Sequence, residues 1–199
     1  MKVKIERKTK ETNIIISLNL YGKGKYNIKT SIPFLDHMLE LFSKHGNFDL
    51  NIKAKGDREI DDHHLVEDIG IVLGLAIKKS IENRKNINRY GNFLMPMDEA
   101  LNYVVIDLSG RPYFSYEVKF NKMSNIDFDY SLIKEFFRAV AYNAQMTLHI
   151  KNYKGENNHH IAESIFKGFA KALSQAVSIN KKIGLPSTKG KIKIKTKRM

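Results

Sequence analysis

The sequence predicts an α/β protein of the α+β type, made of two copies of a β-β-α-β-α unit, with mixed or antiparallel sheets and helices on one sheet face. Three observations predict it. The motif His-His-x-x-Glu occurs twice, as His63-His64-x-x-Glu67 and His159-His160-x-x-Glu163. A shift of 98 residues lays Phe42 on Val140, Phe48 on Met146, Leu50 on Leu148 and Ile52 on Ile150, whereas the motifs are 96 residues apart, so the halves differ by two residues in the loop between. Finally, β-rich runs broken by Gly or Pro open each half.

Taken in order, Asn13 to Leu20 and Tyr26 to Ile32 flank Gly22 and Gly24 and read as a hairpin. Pro33 opens a helix running roughly to Lys44. An apolar strand around Leu50 and Ile52 and a loop carrying Gly56 lead to the first motif, whose flanks Leu65, Ile69, Val72 and Leu73 are spaced as on a helix. In the second half, Leu101 to Leu108 and Tyr113 to Phe120 are strands around the turn Ser109-Gly110-Arg111-Pro112. A helix from Tyr130 to about Asn143, a strand around Leu148 and Ile150, a loop with Gly155 and a helix faced by Ile161, Ile165, Phe166 and Phe169 complete it. Residues 1–190 are expected to form one domain of two pseudo-repeats, about 1–90 and 91–190, followed by a basic tail at 191–199.

On a helix, the first His and the Glu of each motif lie one turn apart on one face, and the second His lies three residues before the Glu. Adjacent side chains diverge by about 100°. The two imidazoles of a motif therefore suit two different ions better than one, and two motifs imply a paired metal centre. The order differs from the His-Glu-x-x-His of zinc proteases. Nitrogen and oxygen donors without sulfur suit Mn, Fe, Co or Zn, and affinity alone does not choose among them. The shift of 98 also lands His37 on Glu135; if His37 is a ligand, pseudo-symmetry gives Glu135 the same part at the second ion, the alternative being a helix-surface acid.

Composition bounds the function. The chain has 199 residues, 42% of them hydrophobic, enough for a real core. The absence of cysteine excludes disulfides, thiolate metal sites and cysteine nucleophiles. No apolar run is long enough for a bilayer, and MKVKIERKTKET lacks the apolar core of a signal peptide, so a cytoplasmic protein with no membrane partner is expected. The net charge of +13 is concentrated at the end: eight Lys or Arg residues follow Asn180 without an acid among them. Such a run reads as a solvated or frayed tail, and with no nucleic-acid signature and no aromatic stacking platform, nucleic acid is not an expected partner. A basic surface also suits a small anionic substrate.

The stretches FLDHM (34–38), DDHHLVEDIG (61–70), RYG (89–91), PMDEAL (96–101), DLSGRP (107–112), NNHHIAESIFK (157–167) and PSTKG (186–190) resemble the imidazoleglycerol-phosphate dehydratases of histidine biosynthesis. The resemblance runs in order from Arg7-x-Thr9-x-Glu11-Thr12 to Lys189. It implies a manganese-dependent hydro-lyase with two Mn²⁺ per active site, forming imidazole acetol phosphate. It further implies a homo-oligomer of twenty-four subunits built from trimers, with metal and active sites between subunits. Carried over by position, the ligands are His37, His63, His64, Glu67, His159, His160 and Glu163. Many relatives have His where this chain has Glu135, the eighth candidate.

The implied chemistry suits such a ligand set. The hydroxyl to be lost is on the carbon bearing the imidazole ring, and the proton to be removed is on the next carbon, with no carbonyl to acidify it. Two cations on the ring nitrogens would stabilise an imidazolate that expels hydroxide to a diazafulvene, which acidifies that C–H. Glu11 is the first candidate for the base, with Glu67 and Glu163 able to assist while ligating; read without the resemblance, Glu11 is an exposed acid before a strand. His45 reads either as a contact to substrate or to a ligand, or as an ordinary helix-end His. The phosphate is expected to meet Arg89, Arg111, Lys167, Ser187, Thr188 and Lys189, each of which alone would read as a solvated surface residue. The competing readings are a dinuclear metallohydrolase and a metal-storage protein; a set of anion-binding groups beside the metals separates the dehydratase from storage.

Overall fold

The computed structural model describes residues 2–82, 86–121 and 128–180. The first half runs β1 (Lys2–Lys8), β2 (Thr12–Asn19), β3 (Tyr26–Lys29), α1 (Pro33–Gly46), β4 (Asp49–Gly56) and α2 (His63–Ser80). The second repeats it as β5 (Tyr90–Met97), β6 (Ala100–Asp107), β7 (Tyr113–Glu117), α3 (Leu132–Ala144), β8 (Thr147–Lys154) and α4 (Asn158–Val177). Each half has one four-stranded mixed sheet, ordered β1-β2-β4-β3 and β5-β6-β8-β7. The duplication is as expected: β4 and β8 are both eight-residue strands, and Phe42, Val140, Phe48, Met146, Leu50, Leu148, Ile52 and Ile150 are all buried.

Two expectations are corrected. Each unit carries one strand more than β-β-α-β-α, because β1 and β5 precede it as edge strands. Their Lys2, Lys4, Lys8 and Pro96 are residues that keep edges from pairing further, and they mask the strand pattern in the sequence. The predicted hairpin around Gly22 and Gly24 does not form, since β4 lies between β2 and β3, antiparallel to the first and parallel to the second. The glycine loop instead crosses the start of β4. There Asp49 Oδ1 accepts the amides of Lys23 (2.8 Å) and Lys25 (3.2 Å), and a Cβ on Gly22 would lie 2.4 Å from the Asp49 backbone nitrogen. β6 and β7 are separated by β8 in the same way.

Helices cover one face of each sheet and meet each other across the halves: α2 packs on β1 and β2 and against α3, and α4 packs on β5 and β6 and against α1. α2 approaches α3 closely because it presents Gly70 and Gly74, where a Cβ would sit 2.6 Å and 2.7 Å from the carbonyl oxygens of Phe136 and Val140. Aromatic rings join the other elements, with Phe42 stacked on Phe169 (5.5 Å) and Phe137 packed at a tilt against Phe166 (4.8 Å). Buried residues of both sheets and all four helices form one core. Among the described residues, no helix is long and apolar enough to cross a membrane.

Candidate metal centre

Each His-His pair opens a helix. Asn157 caps α4 by accepting the amides of His159 (2.8 Å) and His160 (3.4 Å), and Asp61 accepts the amide of His63 (2.7 Å) at the start of α2. The first turn thus fixes the imidazoles, and their divergence around the helix decides where each one goes.

His159 turns toward α1. Its Nε2 lies 3.1 Å from Glu163 Oε1, one turn along, and His37 Nε2 lies 2.9 Å from the same oxygen. His37, His159 and Glu163 form a group whose ligand atoms all fall within 4.8 Å of one another, a geometry that could hold a metal ion. The His37 and His159 rings stack at 5.6 Å, and Phe34 meets the His159 ring edge-on at 5.7 Å. Lys167 Nζ is 2.5 Å from Glu163 Oε2. Burial pushes the Glu163 carboxyl up, but Lys167 and the two imidazoles outweigh it and hold the group at about 2.

His63 pairs with the Glu of its own motif, and that Glu meets α3. His63 Nε2 lies 3.5 Å from Glu67 Oε2, and Arg138 Nη2 lies 3.4 Å from Glu67 Oε1 and 2.5 Å from Glu135 Oε2. Glu135 thus meets the α2 motif through Arg138, which also pairs with Glu67, whereas His37 contacts Glu163 of the α4 motif directly. The buried Glu135 Oε2 receives no hydrogen bond: Arg138 reaches it as a charge pair, without hydrogen-bond alignment. A carboxylate oxygen whose neighbour is a cation, bridged by it to Glu67, fits a cation-binding role.

His64 and His160 join neither group. His64 Nδ1 is 3.0 Å from Asp57 Oδ2, and His160 Nδ1 is 2.7 Å from Glu99 Oε2; each hydrogen bond raises the basicity of its imidazole. Glu99 Oε1 also accepts the amides of Asn157 (2.8 Å) and Glu156 (3.0 Å), and with His160 these hold its carboxyl at about 2. Among the described residues, one chain thus brings His37, His159 and Glu163 together, leaves His63, Glu67 and Glu135 linked through Arg138, and directs His64 and His160 elsewhere.

Glu11 lies in the turn between β1 and β2, beside a cleft of about 350 Å³ lined also by Lys8, Lys10, Lys55 and Asp57. The turn is tied to α2: Thr12 Oγ1 donates to Asp68 (2.5 Å), which also pairs with Arg7, and the Glu11 carbonyl accepts the Asp57 amide (3.2 Å). His45 lies on the α1 side facing α4; burial, then the charges of Lys167 and Lys171, push its imidazole below the ordinary value. Arg89 is held two-pronged by Asp107 at 2.6 Å and 3.0 Å and lies over the Tyr90 ring. Arg111 follows in the turn after β6, where its amide donates to Ser109 Oγ (3.1 Å). Ser187, Thr188 and Lys189 lie outside the described residues.

The sequence reading missed Asp57, Glu99, Asp107 and Arg138. Asp107 and Glu99 stood inside the quoted stretches DLSGRP and PMDEAL, but their partners are 18 and 61 residues away. Arg138 lies one turn after Glu135, the one local signal available.

The family model for imidazoleglycerol-phosphate dehydratase matches residues 30–173. The chain belongs to the imidazoleglycerol-phosphate dehydratase family. The imidazoleglycerol-phosphate dehydratase of Endomicrobium trichonymphae is 58% identical over 95% of this chain and 97% of its own length. That of Acetivibrio thermocellus is 55% identical over the same shares, 95% and 97%. The crystal structure of the dehydratase from Staphylococcus aureus superposes with a TM-score of 0.82 at 42% identity, covering 90% of this chain and all (100%) of that one. The Pyrococcus furiosus enzyme, solved in complex with (S)-C348, gives 0.82 at 41% identity over 94% and 100%. Enzymes of this family are hydro-lyases, and the duplicated mixed sheets described above are those of the dehydratase fold.

Proposed function

We propose that this chain dehydrates imidazole glycerol phosphate to imidazole acetol phosphate in histidine biosynthesis, as a manganese-dependent cytoplasmic homo-oligomer of twenty-four subunits built from trimers. The observation that carries the reading is the division of the ligands: His37, His159 and Glu163 converge, Arg138 bridges Glu67 and Glu135 next to His63, and His64 and His160 are directed elsewhere. The His37-His159-Glu163 group offers three donors where a centre that also binds substrate needs a further imidazole, and an outlying His64 or His160 of a neighbouring copy would supply it; His63, Glu67 and Glu135 would form the second centre in the same way. The donors are nitrogen and oxygen only, which suits Mn²⁺. When bound, two such ions supply the Lewis acidity that lets an imidazole ring carry negative charge.

The chain's own residues account for the rest. Glu11, on a turn anchored through Thr12 and Asp68 to the helix bearing His63 and His64, would accept the proton from the carbon next to the one that loses hydroxide. Glu163 is held anionic beside the imidazoles by Lys167, and the carboxylates of Glu163 and Glu67 would balance the charge of the ions. Lys167 and Lys171 give the α1–α4 seam the positive charge a phosphate requires, with the His45 imidazole beside them pushed toward its neutral form, and Arg89, fixed by Asp107, and Arg111 offer guanidiniums at the end of β6. Groups for an anion beside the metal ligands favour a phosphorylated substrate over metal storage.

The test is an assay of purified protein with imidazole glycerol phosphate after chelation, with and without added Mn²⁺, beside His63→Ala. Product that requires the metal and disappears in the variant is expected; no product from folded, Mn-loaded protein would overturn the substrate assignment.

A further inference from the structure

The two halves hold their outlying imidazoles with carboxylates from different places. β2 and β6 are both eight residues long and begin at Thr12 and Ala100, so the same register that equates them equates Glu11 with Glu99, each the last residue of the turn before its strand. Ile16 opposite Ile52 and Val104 opposite Ile150 confirm that register from the neighbouring strands. In the second half, Glu99 receives His160 Nδ1 at 2.7 Å. In the first, His64 Nδ1 turns to Asp57 at 3.0 Å, and among the described residues no hydrogen bond or ion pair reaches the Glu11 carboxylate.

The loops explain the difference. Six residues, 57–62, separate β4 from α2, and the first of them is Asp57. Only three, 155–157, separate β8 from α4, and the amides of Glu156 and Asn157 are themselves received by Glu99 Oε1. The longer loop brings its own carboxylate to the imidazole. The shorter one relies on the neighbouring turn.

An anionic carboxylate at Nδ1 requires a proton there, which leaves the Nε2 lone pair of a neutral imidazole as the donor to a metal. We propose that Asp57 and Glu99 are positioning residues that fix His64 and His160 in the Nδ1–H tautomer and so present Nε2 to the metal ions, and that Asp57, by taking this role, leaves Glu11 unengaged for proton transfer. The proposal rests on the metal-dependent reading above. Both act through the imidazole, each held at Nδ1.

Glu99→Gln separates orienting from structural roles. Gln keeps a carbonyl for the amides of Glu156 and Asn157 but turns an NH₂ donor toward His160 Nδ1, which favours the opposite tautomer and places a proton on Nε2. The measurement is Mn²⁺ binding to chelator-stripped, assembled protein, followed by the electron paramagnetic resonance of the free ion, for wild type, Glu99→Gln and Asp57→Asn, with thermal melting of the metal-free proteins alongside. Each variant is expected to melt near wild type and to bind its affected ions about 10- to 100-fold more weakly. Glu99→Gln with wild-type number and affinity of ions overturns the proposal. If Glu99→Gln fails to assemble, Asp57→Asn decides by the same criterion, its unchanged binding overturning the orienting role. Absence of Mn²⁺ binding in the wild type is a different result: it removes the metal-dependent reading itself, and the proposal with it.

Discussion

His37 Nε2 lies 2.9 Å from Glu163 Oε1, joining the first helix of one half to the last helix of the other. The Glu163 carboxylate is also the partner of Lys167, whose side chain is only 13% exposed. Glu163→Gln removes the charge that two imidazoles and an ammonium share. In metal-free protein this is expected to cost about 1–3 kcal/mol, because Lys167 is left poorly solvated without its counter-ion. Denaturant unfolding after chelation checks it, and a stability unchanged from wild type would show that Lys167 reaches water instead.

At the corresponding place in the other helix pair stands Glu135, with its Oε2 paired to Arg138. Glu135→Gln is expected to weaken the binding of one ion per protomer and to leave the His37-His159-Glu163 group intact. Calorimetric titration with Mn²⁺ reads both. Unaltered stoichiometry and affinity would make Glu135 a partner of Arg138 alone.

Gly70 offers a test of the helix packing that sets this distance. Alanine would ordinarily improve a helix interior by about 1 kcal/mol over glycine. Here its Cβ would lie 2.6 Å from the Phe136 carbonyl oxygen, a backbone atom that cannot move aside cheaply. The expected sign is therefore reversed: Gly70→Ala destabilises by about 1–3 kcal/mol and pushes α2 from α3. Thermal unfolding together with Mn²⁺ affinity checks both effects, since His63 and Glu67 move with α2.

The pH dependence follows from Glu99. Its carboxyl is held at about 2 in the fold, below an ordinary value of 4.5, first by the Asn157 amide and then by His160 and the Glu156 amide. A depressed pKa means that the folded state favours the anion. The contribution is complete above about 4.5 and is lost as pH falls toward about 2. Wild type should therefore lose stability through this window more steeply than Glu99→Gln. Urea midpoints at a series of acidic pH values check it, and parallel curves would contradict it.

Much of this was legible in the sequence, for physical reasons visible in particular residues. The His-His-x-x-Glu motifs carry helical periodicity and chemistry together, and the 98-residue correspondence of Phe48 with Met146 and Leu50 with Leu148 records a shared core position. The pairing of β2 with β4 was not legible, because glycines that serve a close crossing over Asp49 look the same in sequence as hairpin glycines. Nor was the exchange of helix partners, which brings His37 to Glu163 across 126 residues and leaves Glu135 to the first motif. Glu99 was hidden because its role depends on the register between strands rather than on any neighbour in the chain.

The central claim is that one chain supplies incomplete metal groups that neighbouring copies finish. His159→Ala damages a group gathered within one protomer, and His64→Ala damages an imidazole directed away from it. Each variant alone should be inactive with imidazole glycerol phosphate and Mn²⁺. The most direct measurement is the activity of mixed assemblies, formed by dissociating the two variants and reassembling them together. The account predicts that activity returns, because some sites then take an intact group from one variant and an intact His64 from the other. Mixed assemblies shown to contain both chains yet remaining inactive would contradict it.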